Sequence, residues 1–273
     1  MSPDRLQRFI LDLEATKKSD DVWHLLVRLG RDLELPCIDF VSASGFRDWR
    51  KTRFVRTSYD STFIADLNQD PEVEDWSNFR LHVGQRLTPI AVGIEFLEDS
   101  YQVPKKRKAL LRVMAEHGLR AGLCIPLREV TPPEVGMITF FGDHNRRDMQ
   151  TIIRAHGWTL HAAAMMGHQR YLLHFAHEFR DRNHITKKQI ELVRLIGLGM
   201  KDKTIAETLC ISVSAVRQRM QALLTKTGLS SRAELAVLAM RLGLLPDPFH
   251  SSHDDVETVV EMDNAGTRTR PKM

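Results

Sequence analysis

The chain has 273 residues, long enough for two domains, and its 42% hydrophobic and 27% charged residues make an ordinary globular composition. No apolar run is long enough to span a bilayer, and the start Met1-Ser2-Pro3-Asp4-Arg5 is not a secretion signal, so no membrane partner is expected. Cys37, Cys124 and Cys210 are far apart and odd in number, which suits thiols in a reducing cytoplasm better than a disulfide or zinc framework.

The net charge is +4, and its distribution says more than its size. Ile185 to Pro246 holds ten Lys/Arg against four Asp/Glu, a local +6, whereas Asp247 to Met273 is locally −3. A basic excess confined to one segment is what phosphate binding requires.

In chain order, Asp4 to Ala15 predicts an amphipathic helix with Leu6, Phe9, Ile10 and Leu13 on one face. Asp20-Asp21 is placed to cap a second helix carrying Val22, Leu25, Leu26 and Leu29. Because this acidic pair precedes a helix and no matching phospho-acceptor Asp follows, it does not make a receiver domain. Cys37 to Ala43 and Thr52 to Thr57 read as strands joined by a turn at Gly45. A polar region from Asp60 to Gly84 contains Phe63, Trp76 and Phe79. Lys105 to His117 is helical, closed by Gly118, and Leu119 to Leu127 with Val135 to Phe141 predicts two further strands. A long helix is expected from Arg146 to His174, with Met149, Ile152, Ile153, Trp158, Leu160 and Met165 turned inward. This order predicts an α/β/α sandwich on a mostly antiparallel sheet.

His174 to His184 is charged and lacks apolar periodicity, so it is the expected linker. His174, His177 and Glu178 fall at helical spacing, but no fourth ligand accompanies them, so no metal site is expected. Ser42-Ala43-Ser44-Gly45 lacks the pattern of a phosphate cradle or a nucleophile elbow, and no constellation of residues argues for catalysis or a cofactor.

The rear segment reads as four short helices. Thr186 with Gln189 fits a capping box at the start of a helix carrying Ile190, Val193, Leu195 and Ile196, with Gly199 as its stop. A second helix starts near Asp202, which is placed to cap it, and turns Ile205, Ala206 and Leu209 inward. Ser212 caps the third helix, where Val216, Met220, Leu223 and Leu224 form the buried face. Ser214, Arg217, Gln218 and Gln221 share the opposite face, and all can hydrogen-bond to base edges in a major groove. Lys201, Lys203 and Lys226 flank this helix where lysines hold phosphates, with Ser212 beside them. Ser231 with Glu234 starts a fourth helix ending at Gly243. The stretch from Ser251 onward is polar and mixed in charge, and disorder is expected there.

Ile185-Thr186, Gln189, Gly199, Ile205-Ala206, Leu209, Ile211-Ser212, Val216-Arg217, Lys226-Thr227-Gly228-Leu229 and Arg232 together resemble the LuxR-type (GerE-like) helix-turn-helix in order and spacing. The run Ala115-Glu116-His117-Gly118-Leu119-Arg120-Ala121-Gly122, followed by Pro126-Leu127, is similar to the sensory domain of the same family. The resemblance implies an Asp, a Trp and a Tyr that bind an acyl-homoserine lactone. Asp70 stands before Pro71 as the family's Asp does. The Trp and Tyr positions fall on Thr57 and Ser61, or, with a short deletion, on Tyr59 and Phe63; neither alignment restores both donors.

The whole therefore predicts an α+β protein. Residues 1–173 form a sensory and dimerisation domain, 174–184 a linker, 185–246 an all-α helix-turn-helix domain and 247–273 a disordered tail. The expected function is promoter binding as a homodimer under control of a small molecule or partner protein, with Tyr59, Phe63, Asp70 and Trp76 as ligand candidates. Two alternatives stay open: a phosphorylation-controlled response regulator, and a ligand-binding or interaction protein that never meets DNA.

Overall fold

In the computed structural model, the residues described are 3–44, 52–62, 82–83, 85–99, 103–128 and 134–245. The expected tail and the ligand candidates Phe63, Asp70 and Trp76 lie outside them. The chain divides into two compact units, Met1–Glu178 and Phe179–Met273. None of the described helices is long and apolar enough to cross a membrane.

The front unit begins with α1 (Pro3–Glu14) and α2 (Ser19–Asp32). Asp21, at the third position of α2, accepts from the backbone of Lys17 and Lys18 at 3.1 and 3.0 Å, which satisfies donors the helix start cannot pair internally. Asp20 turns away to Arg56 and His24, so only half of the acidic pair caps the helix.

Five strands follow: β1 (Cys37–Ser44), β2 (Thr52–Thr57), β3 (Ile90–Gly93), β4 (Ala121–Arg128) and β5 (Glu134–Gly142). They pair in the order β2-β1-β5-β4-β3, every pair antiparallel. β3 has only four residues and was not legible as a strand, because its alternation is too short to stand out. α3 (Lys105–Glu116) lies between β3 and β4 in sequence, and α4 (Arg146–Arg182) closes the unit.

Strand alternation sends Ile38 and Phe40 to one face of the sheet, where they join Leu123, Ile125, Leu127, Ile138 and Phe140 in a large core. α1, α2 and α4 cover this face through Phe9, Leu13, Val22, Leu26, Met149 and Leu160. The other face carries smaller clusters around Met137 and Val83, and around Phe141 with Leu111 and Met114 of α3. Helices thus occupy both faces of an antiparallel sheet, as expected.

Two features of α4 differ from expectation. It continues eight residues past His174, through most of the charged segment, and the division between units falls within that segment at Glu178 and Phe179. Contacts with the start of the chain explain the extension. His174 bonds Thr16 at 3.0 Å, and Glu178 accepts from the amide and hydroxyl of Ser19 at 2.7 and 2.8 Å. Phe179 packs into the core of the rear unit. Charge without apolar periodicity therefore did not mean loss of helix. Trp158, expected inside, is 77% exposed. It stands two residues from the fully buried Leu160, a rotation of roughly 200° on a helix, which sets the two on opposite sides.

The rear unit is built from α5 (Lys187–Gly197), α6 (Asp202–Thr208), α7 (Val213–Thr227) and α8 (Arg232–Arg241). Leu192, Leu195, Ile205, Val216, Leu223 and Leu235 form its buried centre. The capping box of α5 is present, the Gln189 amide donating to Thr186 Oγ1 at 3.2 Å and the Thr186 amide to Gln189 Oε1 at 3.0 Å. Ser212 caps α7 and Ser231 caps α8, both as expected. α6 differs: Lys201 is its N-cap and supplies no side-chain bond, while the Asp202 carboxylate turns to two arginines instead of capping. Gly228 ends α7 with φ of +68°, a left-handed geometry that a side chain resists.

Candidate nucleic-acid interface and signal site

In the rear unit, α7 is anchored from below by Val216, Leu223 and Leu224, all buried. This fixes the helix's rotation and turns Ser214, Arg217, Gln218 and Gln221 outward, all exposed. Ser212 has two partners: its Oγ accepts from the Ala215 amide at 3.1 Å and meets Ser214 Oγ at 2.9 Å. Its role is therefore first structural, setting the entry of α7. Lys201 and Lys203 are exposed at the start of α6. Lys226 is exposed, but its ammonium donates to the His184 carbonyl at 2.7 Å and reaches Gln189 Oε1 at 3.4 Å, tying the end of α7 to the start of α5.

Sequence patterning offered Asp202 as a helix cap and did not reveal the ion pairs it makes behind this face. Asp202 accepts from Arg217 Nε at 3.3 Å and from Arg232 Nη1 at 2.6 Å, and Arg232 also donates to the Met200 carbonyl. Three helices meet at one carboxylate. Such an assembly joins residues 15 and 30 positions apart and leaves no local signature.

In the front unit, the register aligns one row across the second sheet face: Thr57, Asp39, Thr139, Cys124 and Ile90 stand side by side on β2, β1, β5, β4 and β3. Asp39, Thr139 and Cys124 are all buried. The Tyr59 hydroxyl donates to Asp39 Oδ2 at 3.2 Å, and burial together with the Asp39 charge pushes the phenol above its usual range. Thr57 Oγ1 donates to the Tyr59 carbonyl at 3.0 Å and meets Ser61 Oγ, which can donate to it, at 2.9 Å. Of the four ligand candidates, the described residues therefore place Tyr59 alone, against α3, Phe141 and Cys37. Asp39 was not singled out from the sequence; its signal was an acid inside an otherwise apolar strand, Cys-Ile-Asp-Phe-Val.

The thiol of Cys124 is pushed up to about 12, first by burial and then by the Asp39 charge. A folded value above the unfolded one stabilises the fold fully below the ordinary thiol range of 9.0 and is lost as pH rises from there toward 12. The expected result with iodoacetamide at pH 8 is rapid alkylation of exposed Cys210 and none of Cys124 until the chain unfolds. Native labelling of Cys124 as fast as Cys210, read by peptide mass spectrometry, would contradict this environment.

Residues 88–171 match the family model of the autoinducer binding domain. The match begins after Thr57, Tyr59, Ser61, Phe63, Asp70 and Trp76. The chain is 33% identical over 66 residues to the transcriptional regulatory protein YdfI of Bacillus subtilis, a match spanning 24% of this chain and 31% of that relative. Among solved structures, SdiA of Escherichia coli is similar at 14% identity and a TM-score of 0.49, covering 89% of this chain and 99% of that one. The N-acylhomoserine lactone dependent LuxR family factor CepR2 of Burkholderia cenocepacia is similar at 14% identity and a TM-score of 0.46, over 58% and 90%. The family-model match and the curated relative support the resemblance to LuxR-type regulators with an autoinducer binding domain.

Proposed function

We propose that the chain is a transcription regulator of the LuxR type, in which the rear unit binds promoter DNA and the front unit receives a signal and supports dimerisation. The observation that carries this is the outer face of α7, where Ser214, Arg217, Gln218 and Gln221 are exposed over a buried apolar underside within a segment of charge +6. A rigid helix presenting hydrogen-bonding side chains, surrounded by lysines, fits a major groove. Arg217, Gln218 and Gln221 read base edges, Lys201 and Lys203 hold phosphates, and Ser212 and Ser214 meet the backbone at the helix start, with Lys226 held in reserve by its internal bonds. The test is anisotropy of the full chain with duplex DNA selected from a random pool, titrated with salt. The expected result is tight binding whose logarithm falls linearly with the logarithm of salt concentration. Binding that is absent, or insensitive to salt, would overturn the assignment.

A second copy of the chain is the proposed dimerisation partner, through α4. Trp158, Met166, Leu172 and Leu173 are 77, 36, 36 and 57% exposed, and helical spacing gathers them into one stripe opposite Leu160 and Ala164. A contiguous exposed apolar stripe marks an interaction surface. The outer face of α8, with Val237 at 51% and Met240 at 52% exposed, is the corresponding surface of the rear unit.

The proposed signal-binding residues are Tyr59, on the second sheet face, together with Phe63, Asp70 and Trp76, which lie outside the described residues. Tyr59 already donates its hydroxyl proton to Asp39, so that proton is committed before a lactone's acyl carbonyl arrives. A polar ligand atom buried without its partner costs about 1–3 kcal/mol. Little or no response to common acyl-homoserine lactones is therefore expected, with another small molecule or a partner protein as the signal. Isothermal titration across lactones of varied chain length tests this. A stoichiometric, submicromolar complex with any of them would sink it.

A further inference from the structure

Asp202 is an acid in a basic setting. Lys201 and Lys203 flank it in sequence, and two arginines grip its carboxylate. A negative charge here lowers the attraction of the surface for phosphate, so its place calls for a reason. As an ion pair, the contact with Arg217 adds little to stability, because the Arg217 side chain is 70% exposed. Geometry gives a better account.

Arg232 fixes the carboxylate from behind. Its Nη1 donates to Asp202 Oδ1 at 2.6 Å while its Nη2 donates to the Met200 carbonyl, so the fork is anchored at two points. The second oxygen, Oδ2, accepts from Arg217 Nε at 3.3 Å. A guanidinium offers five N–H donors in a rigid plane, one on Nε and four on the two terminal nitrogens. With Nε committed to Asp202, the terminal pair is left to face outward from α7. Two parallel donors on one edge match the O6 and N7 acceptors that guanine presents in the major groove, and no other base presents two acceptors there. Holding a long, rotamer-rich side chain in place beforehand also reduces the ordering required at binding.

We infer that Asp202 is a positioning residue that sets Arg217 end-on for a guanine, and so fixes one base of the operator; this rests on the DNA-binding function proposed above. Asp202 touches no base itself and acts through Arg217. The structure thereby divides the work of the two arginines: Arg232 holds the carboxylate, and Arg217 reads the base.

The experiment uses the full chain and duplexes selected from a random pool, with guanine at the Arg217 contact replaced in turn by 7-deazaguanine and by adenine. Wild type is expected to lose roughly 5- to 150-fold in affinity on either replacement. Asp202→Asn keeps the shape and an acceptor for Arg232 but loses the charge. It should cut the preference for guanine about tenfold while binding to random duplex holds or rises, with a salt slope steeper by up to about one. Arg217→Lys keeps a positive charge without the fork and does not touch the Arg232 anchor, so it serves even where Asp202→Asn weakens folding. It should lose the same preference, and the double variant should be no less selective than Arg217→Lys alone, as coupled residues require. A guanine preference and 7-deazaguanine sensitivity unchanged in Asp202→Asn would overturn the inference, leaving the DNA-binding function standing. A tighter, more selective Asp202→Asn would also overturn it, by showing that Asp202 holds Arg217 away from DNA. Failure of wild type to select any sequence would overturn both.

Discussion

Replacing Trp158 with glutamate is expected to abolish dimer formation and to lower operator affinity by several orders of magnitude, with the fold unchanged. One recognition helix contacts only a few base pairs, so losing the second half-site removes a whole set of contacts. The site tolerates the change within a monomer because the indole is already 77% exposed and none of the buried front-unit core depends on it. In a paired helix, by contrast, a charge placed in the apolar stripe with Met166 and Leu173 is buried without a partner, which costs far more than the lost packing. Analytical ultracentrifugation reads the assembly, and thermal unfolding guards against a folding defect. A Trp158→Glu protein that remains a dimer and still binds its operator would move the interface elsewhere, with the outer face of α8 next in line.

Arg217→Ala is expected to cost about 1–3 kcal/mol on the operator and to loosen base preference at one position of each half-site. Lys203→Ala should instead weaken binding to all sequences alike and flatten the salt slope by about one. The contrast follows from position. Arg217 is exposed on the outer face of α7, one turn before Gln221, whereas Lys203 lies at the start of α6. Binding curves on operator and random duplex, at two salt concentrations, separate the two roles. Equal losses on operator and random DNA for Arg217→Ala would make it a phosphate contact.

The rear unit was the most legible part of the chain, because its signals are local. A cap such as Thr186 or Ser212 acts within three residues, and the two faces of α7 repeat every three or four. The sheet was legible where its strands were long; β3, with four residues, was not. Apolar character does not give burial at Trp158, because α4 buries Leu160, Ala163 and Ala164 and leaves the indole outside. The extent of α4 past His174 depended on Thr16 and Ser19, more than 150 residues earlier in the chain, which no window of sequence can show. The same holds for the Asp202 carboxylate and for the row from Thr57 to Ile90, where register between strands, not spacing within them, brings the groups together. Of the candidate signal site, Tyr59 is placed, and its bond to Asp39 was hidden for that reason.

The central claim is that this chain reads DNA as a two-fold pair, and footprinting of the full chain on a selected duplex tests it most directly. The account predicts two protected half-sites arranged as an inverted repeat, with centres about 34 Å apart on one face of the duplex. A single unrepeated half-site protected by a monomer at physiological salt would contradict it.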